Sequence, residues 1–199
     1  MKFQKYISAI IHPIVLPTIG VMIYFLFVPT TYMSAQKFTV LSAVFVITYL
    51  IPLFTLLVFK KLKLIDSYKT ETIKERRLPV LLMVILFYFL ANTLNSTLIL
   101  KDLTLLFYAS SLGLLIIYIL FYFKFKMSIH LFSLGISTGF FLVLSEIYSQ
   151  FFLLVIIILI FLSGLVASAR LHLKAHNKLE VYSGFFVGII AVFITYFIL

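Results

Sequence analysis

The chain has 199 residues, of which 64% are hydrophobic and 11% charged, and its mean hydropathy is +1.23. Such a composition excludes a water-soluble globular domain, and the absence of cysteine excludes disulfides and thiolate metal sites. The net charge of +10 gives no reason to expect nucleic acid as a partner. The cations are confined to short polar segments between apolar runs, where lipid headgroups and phosphate account for them.

In lipid only helices or closed barrels satisfy the backbone, and apolar runs of about 18 residues or more are long enough to cross as helices. The runs here are continuous, without the alternation of a barrel strand. The expected fold is therefore all-α: a polytopic integral membrane bundle of about seven transmembrane helices, in one domain covering residues 1–199. In chain order the expected spans are 7–28, 38–59, 78–94, 103–123, 129–144, 151–167 and 181–199.

The first span follows MKFQKY as a signal peptide would, but it is too long and lacks a small-residue cleavage site, so it is read as a helix. Pro13 and Pro17 predict a kink near its start. The second span contains Pro52 and leads into the longest polar stretch, Lys60 to Pro79, with Pro79 placed where a helix N-terminus tolerates it. Asn92 and Asn95 are expected to hydrogen-bond between helices. In the fifth span Ser133, Gly135, Ser137 and Gly139 let neighbours approach closely, which predicts a central position.

Counting spans places the loops around 60–79, 124–130 and 168–180 on one membrane face, the face of the N-terminus. The third of these reads SARLHLKAHNKLE and carries Arg170, His176 and Glu180. If it is helical, the imidazole and the carboxylate share a face, and a carboxylate on one ring nitrogen leaves the other free to attack. A bland reading stands beside this: cations at span ends, such as Lys60, Lys61 and Lys63, anchor the helices at the lipid headgroups.

Three ordered fragments resemble the motifs of the type 2 phosphatidic acid phosphatase superfamily, the membrane relatives of vanadium haloperoxidases. Lys69 is followed after six residues by Arg76, with Arg77 as the competing choice nearer Pro79. Ser128-Ile129-His130 stands for a Pro-Ser-Gly-His motif without its proline and glycine. Ser168-Ala169-Arg170, His176 and Glu180 stand for Ser-Arg-x5-His-x3-Asp, with an inserted alanine and glutamate for aspartate. The resemblance implies a lipid phosphatase or pyrophosphatase that needs no metal and no cofactor, acting on a membrane lipid phosphate. It implies that Lys69, Arg76 or Arg77, Ser128 and Arg170 bind phosphate, that His176 is the nucleophile held by Glu180, and that His130 protonates the leaving group. It also implies that Glu180→Asp retains or improves activity.

Two other classes start from the same residues. His172, His176 and Glu180 recur at steps of four and would project from one face of a continuous helix, a zinc-ligand spacing that His130 could complete. A catalytically inactive member, serving as a membrane subunit or lipid carrier, is the other. The expected location is a bacterial inner membrane. Lys2, Lys5, Lys60, Lys61 and Lys63 on the motif face, against Lys37 and Lys101 opposite, predict that this face is cytoplasmic. No oligomeric state follows from the sequence.

Overall fold

A computed structural model describes residues 2–29, 32–68, 72–96 and 100–199. Regular structure among them is helical throughout: α1 (Lys2–Ile10), α2 (Leu16–Phe27), α3 (Ser34–Phe45), a π-helical turn (Val46–Leu50), α4 (Ile51–Lys61), α5 (Ile73–Asn95), α6 (Lys101–Leu120), α7 (Ile129–Ile147), α8 (Leu153–His172) and α9 (Lys178–Ile198). Among the described residues six stretches are long and apolar enough to cross a bilayer, namely Ser34–Lys61 and the helices α5 to α9. The protein is an all-α polytopic membrane bundle. Its outer surface carries Ile157, Ile160 and Phe161 of α8 and Phe186 and Phe197 of α9, all exposed as lipid contact requires.

The expected span 7–28 is divided. Its run of apolar residues is long enough, but Pro13 disfavours helix at His12 and cannot donate a backbone hydrogen bond, so the chain breaks over residues 11–15. His12 Nδ1 accepts from Ile14 N (3.3 Å) in the break, and Pro17 then sits harmlessly in the first turn of α2. With 12 residues α2 is about 18 Å long, short of the ~30 Å hydrocarbon core. It runs between the two membrane faces all the same. His12, just before it, lies beside His130 at one face, and Tyr24 donates to Asp102 Oδ2 (2.8 Å) at the other.

Pro52 has a different effect. It removes a backbone donor inside a long apolar helix, and the π-helical turn directly before it absorbs the mismatch, so Ser34–Lys61 stays one helical path. Pro79 does not start a helix as expected. Thr72 and Glu75 form a capping box that begins α5 at Ile73, which leaves Pro79 inside the helix.

The bundle core is built by α6 and α7, with Leu103, Phe107, Leu134, Phe140 and Phe141 among its fully buried side chains. α7 packs most closely on α9, because glycines line both sides of the contact. A Cβ on Gly135 would strike the Phe185 carbonyl, and one on Gly188 would strike the carbonyl of Phe132. Asn92 Oδ1 accepts from Tyr108 Oη (2.6 Å), joining α5 to α6. The helices arriving at the motif face, α4, α6 and α8, are each followed by a lysine in the left-handed region: Lys63, Lys124 and Lys174, with φ of 57°, 58° and 51°. Glycine is the usual residue there. A cation instead adds a favourable charge at a helix C-terminus.

Candidate functional site

The three polar segments meet at one end of the bundle. Ser128 N donates to the Glu180 carbonyl (3.0 Å), tying the start of α7 to the start of α9, and residues from all three segments line a common cavity of about 710 Å³.

The first segment is organised by Glu75. Its Oε1 accepts from Asp66 N (3.0 Å) and Ser67 N (3.2 Å), and its Oε2 from Thr72 N (3.1 Å) and Thr72 Oγ1 (3.0 Å). One carboxylate thus folds the incoming loop onto the first turn of α5. The next residue, Arg76, is buried and lines the cavity. Arg77 is exposed and does not line it, as expected of neighbours 100° apart on a helix. Lys69 lies outside the described residues.

At the second segment Ser128 caps α7 without a side-chain hydrogen bond. Its Oγ is buried, has no partner among the described residues, and does not line the cavity. α9 packs tightly on this segment: a Cβ on Gly184 would lie 2.6 Å from the Ser128 carbonyl. A phosphate-binding role for Ser128 therefore does not fit its placement. His130, two residues further on in the first turn of α7, does line the cavity. Its Nε2 lies 3.2 Å from the Ser8 carbonyl, which can only accept, so that nitrogen carries the proton.

In the third segment α8 ends at His172 and α9 begins at Lys178, so no helix connects His172, His176 and Glu180. His172 is exposed and lines no cavity wall. The single helical face that the zinc reading needs is not formed, and no group of three or more His, Asp or Glu side chains among the described residues is placed to share a metal. His176 and Glu180 nevertheless meet. Asn177 is the N-cap of α9 and Glu180 its N3 residue; Glu180 N donates to Asn177 Oδ1 (2.8 Å), and Glu180 Oε2 accepts from Asn177 N (3.2 Å). The capping box aims the carboxylate back toward the residue before the cap, and His176 Nδ1 lies 2.8 Å from Oε2.

His176 Nδ1 also lies 3.1 Å from the Lys126 carbonyl. Both partners accept, so Nδ1 holds the proton and Nε2 keeps its lone pair. Burial, opposed by the Glu180 hydrogen bond and reinforced by the charges of Arg76 and Arg170, brings His176 down to about 4. The ring is neutral at pH 7. Burial and then Arg170 lower His12 as well.

Arg170, in the last turn of α8, donates from an Nη to Ser8 Oγ (2.9 Å). Its Nε is buried without an acceptor among the described residues. A buried guanidinium donor left over in a cationic cavity wall is suited to an anionic oxygen. Lys5, Lys126 and Lys174 line the same polar end. From there the cavity continues between α2, α4, α5, α6 and α7 past Gly20, Leu56, Met83, Leu114, Ile136 and Phe140, an apolar depth below a basic mouth.

One contributor, Ser8, was not singled out by the sequence. It enters the site because α1 folds onto α8, and a lone serine in an apolar stretch gives no warning of that; His12, by sequence an interfacial histidine rather than a catalytic one, lines the same cavity. The T-x-x-E of Thr72 to Glu75 was a usable signal, since this pattern marks a helix start. No protein-family model, curated protein or solved structure matches the chain.

Proposed function

We propose that the chain is a membrane lipid phosphatase or pyrophosphatase, a member of the type 2 phosphatidic acid phosphatase superfamily, acting on a lipid phosphomonoester or a polyprenyl pyrophosphate. The observation that carries this reading is the state of His176. Its Nδ1 proton is held by Glu180 and the Lys126 carbonyl, and its ring lines a cavity shared with Arg76 and Arg170.

In such a site His176 Nε2 attacks phosphorus while the bond from phosphorus to the leaving oxygen breaks. His130, carrying a second proton while the anionic substrate is bound, supplies from the ring nitrogen not held by Ser8 the proton that the leaving alcohol or phosphate takes up, and returns to its neutral form. Water then attacks the phosphohistidine, His130 takes the proton from that water, and phosphate leaves with His176 restored. Arg76 and Arg170 spread their charge over the phosphoryl oxygens throughout, the main task of a protein in phosphoryl transfer. The basic mouth and apolar depth of the cavity suit a phosphate head on a lipid tail.

The protein belongs, in this reading, to a bacterial inner membrane with the cavity mouth on the cytoplasmic side, in line with the lysine excess at that face. The displacement of Ser128 from the cavity favours a second reading, an inactive lipid carrier or subunit.

Purified protein offered a panel of lipid phosphates and pyrophosphates tests the proposal. Phosphate release that orthovanadate inhibits and chelator does not is the expected result, since vanadate imitates the five-coordinate transition state. Lipid or vanadate binding without any hydrolysis would favour the carrier.

A further inference from the structure

We infer that Ser8 is a positioning residue of this site and that α1 is an interfacial strap that delivers it, an inference that rests on the phosphate-binding reading of Arg170. The helix has two sharply different sides. At 100° per residue Gln4, Ile7, Ser8 and Ile11 fall on one side and are buried or half-buried, whereas Lys5, Tyr6, Ala9 and Ile10 fall on the other and are exposed. The inner side packs on α8. The outer side presents Tyr6 and Ile10, 65% and 72% exposed, at the end of the bundle where the lysines cluster. Apolar and aromatic side chains beside cations at that depth are what holds an amphipathic helix in the headgroup region.

Ser8 uses its hydrogen bonds unlike other serines of this bundle. Ser110, Ser133, Ser137 and Ser163 each donate to the carbonyl four residues earlier in their own helix. Ser8 instead accepts from the Arg170 Nη through its Oγ (2.9 Å) and receives the His130 Nε2 proton on its carbonyl (3.2 Å). One buried residue of α1 thereby fixes a guanidinium of α8 and an imidazole of α7. The division of labour matters for the test. Ser8→Ala removes the hold on Arg170 together with a longer contact from Oγ to His130 Nε2 (3.5 Å), and leaves the shorter carbonyl contact that holds His130, so substrate binding suffers more than turnover.

Orthovanadate affinity, measured on the full chain in phosphatidylglycerol vesicles, reads the role without requiring hydrolysis. Ser8→Ala is expected to bind vanadate about tenfold or more weakly and to raise KM with kcat little changed. Ser8→Thr, which keeps the hydroxyl, should restore both, and alanine suits a helix well enough that misfolding is not the explanation. Tyr6→Asp with Ile10→Asp, which touches neither Arg170 nor His130, should weaken vanadate in the same direction by unseating α1. Wild-type affinity in Ser8→Ala, or an affinity above wild type, would overturn the inference; the latter would mean that Ser8 blocks Arg170. If wild type binds vanadate and Ser8→Ala loses it but no lipid phosphate is hydrolysed, the positioning role stands and the hydrolase reading falls. If wild type binds no vanadate, both fall.

Discussion

Glu180 Oε2 lies 2.8 Å from His176 Nδ1 and, at 3.2 Å, also accepts from the backbone of Asn177, so a single oxygen orients the imidazole and closes the capping box of α9. The reach of glutamate is what allows both. Aspartate is one methylene shorter and can serve only one of the two, which reverses the expectation drawn from the resemblance. Glu180→Asp should lose activity, on the order of a hundredfold for a displacement of about 1 Å. If the shorter side chain keeps the imidazole instead, the reciprocal half of the capping box is what is lost, at a cost below the ~1 kcal/mol of losing the Asn177 cap itself. Steady-state kinetics and thermal unfolding of that variant check the two effects; Glu180→Gln should keep the cap and lose most of the activity.

Arginine and histidine neighbours offer paired controls. Arg76→Ala should raise KM sharply and weaken vanadate, while Arg77→Ala, on the exposed side of the same turn, should leave both unchanged. His172→Ala, likewise exposed, should retain activity where His176→Ala abolishes it. Equal losses at His172 and His176, with activity restored by added zinc, would revive the metal reading.

The acid side of the pH profile should be unusually flat. His176 is held at about 4, against an ordinary 6.5, so its lone pair persists well below pH 6.5 and no loss of kcat/KM centred near 6.5 should arise from this group. Stability moves with the same shift. Between about 6.5 and about 4 the unfolded chain binds a proton at His176 that the folded protein does not, so stability falls as pH falls through that window and levels off below it. Unfolding midpoints measured across this range should show that slope in wild type and a smaller one in His176→Asn.

How the site could be read in the sequence depends on the range of the interactions that build it. Apolar runs located the crossing helices, and loop parity brought Arg76, His130, Arg170 and His176 to one end. The contact between His176 and Glu180 was anticipated for the wrong reason, a helical turn, when a capping box makes it. The first span hid its break because hydrophobicity is continuous across residues 7–28 while backbone geometry at His12 and Pro13 is not. Ser8 was illegible: its partners are 122 and 162 residues away, and only the packing of α1 brings them together.

The contact of α7 with α9 holds the starts of both helices, and therefore Glu180 against the segment bearing Ser128. Gly188→Ala, whose new Cβ would strike the Phe132 carbonyl, should destabilise the protein by about 1–3 kcal/mol and lower activity with it. Gly164→Ala is the control, since a Cβ there meets nothing within 4 Å.

Sidedness can be read with single cysteines, because the chain has none. In intact cells Ser67→Cys, before α5 on the cavity side, should resist an impermeant thiol reagent, and Ser34→Cys, at the start of α3 on the opposite face, should react. The reverse labelling would turn the site away from the cytoplasm.

The central claim is that His176 takes the phosphoryl group, and trapping it is the most direct test. Wild-type protein turning over a lipid phosphate, quenched in alkali where phosphohistidine survives and mapped by mass spectrometry, should carry phosphate on His176, with none on His172 or in His176→Ala. Sustained hydrolysis by His176→Ala, or a phosphorylated residue other than His176 in the wild type, would contradict the account.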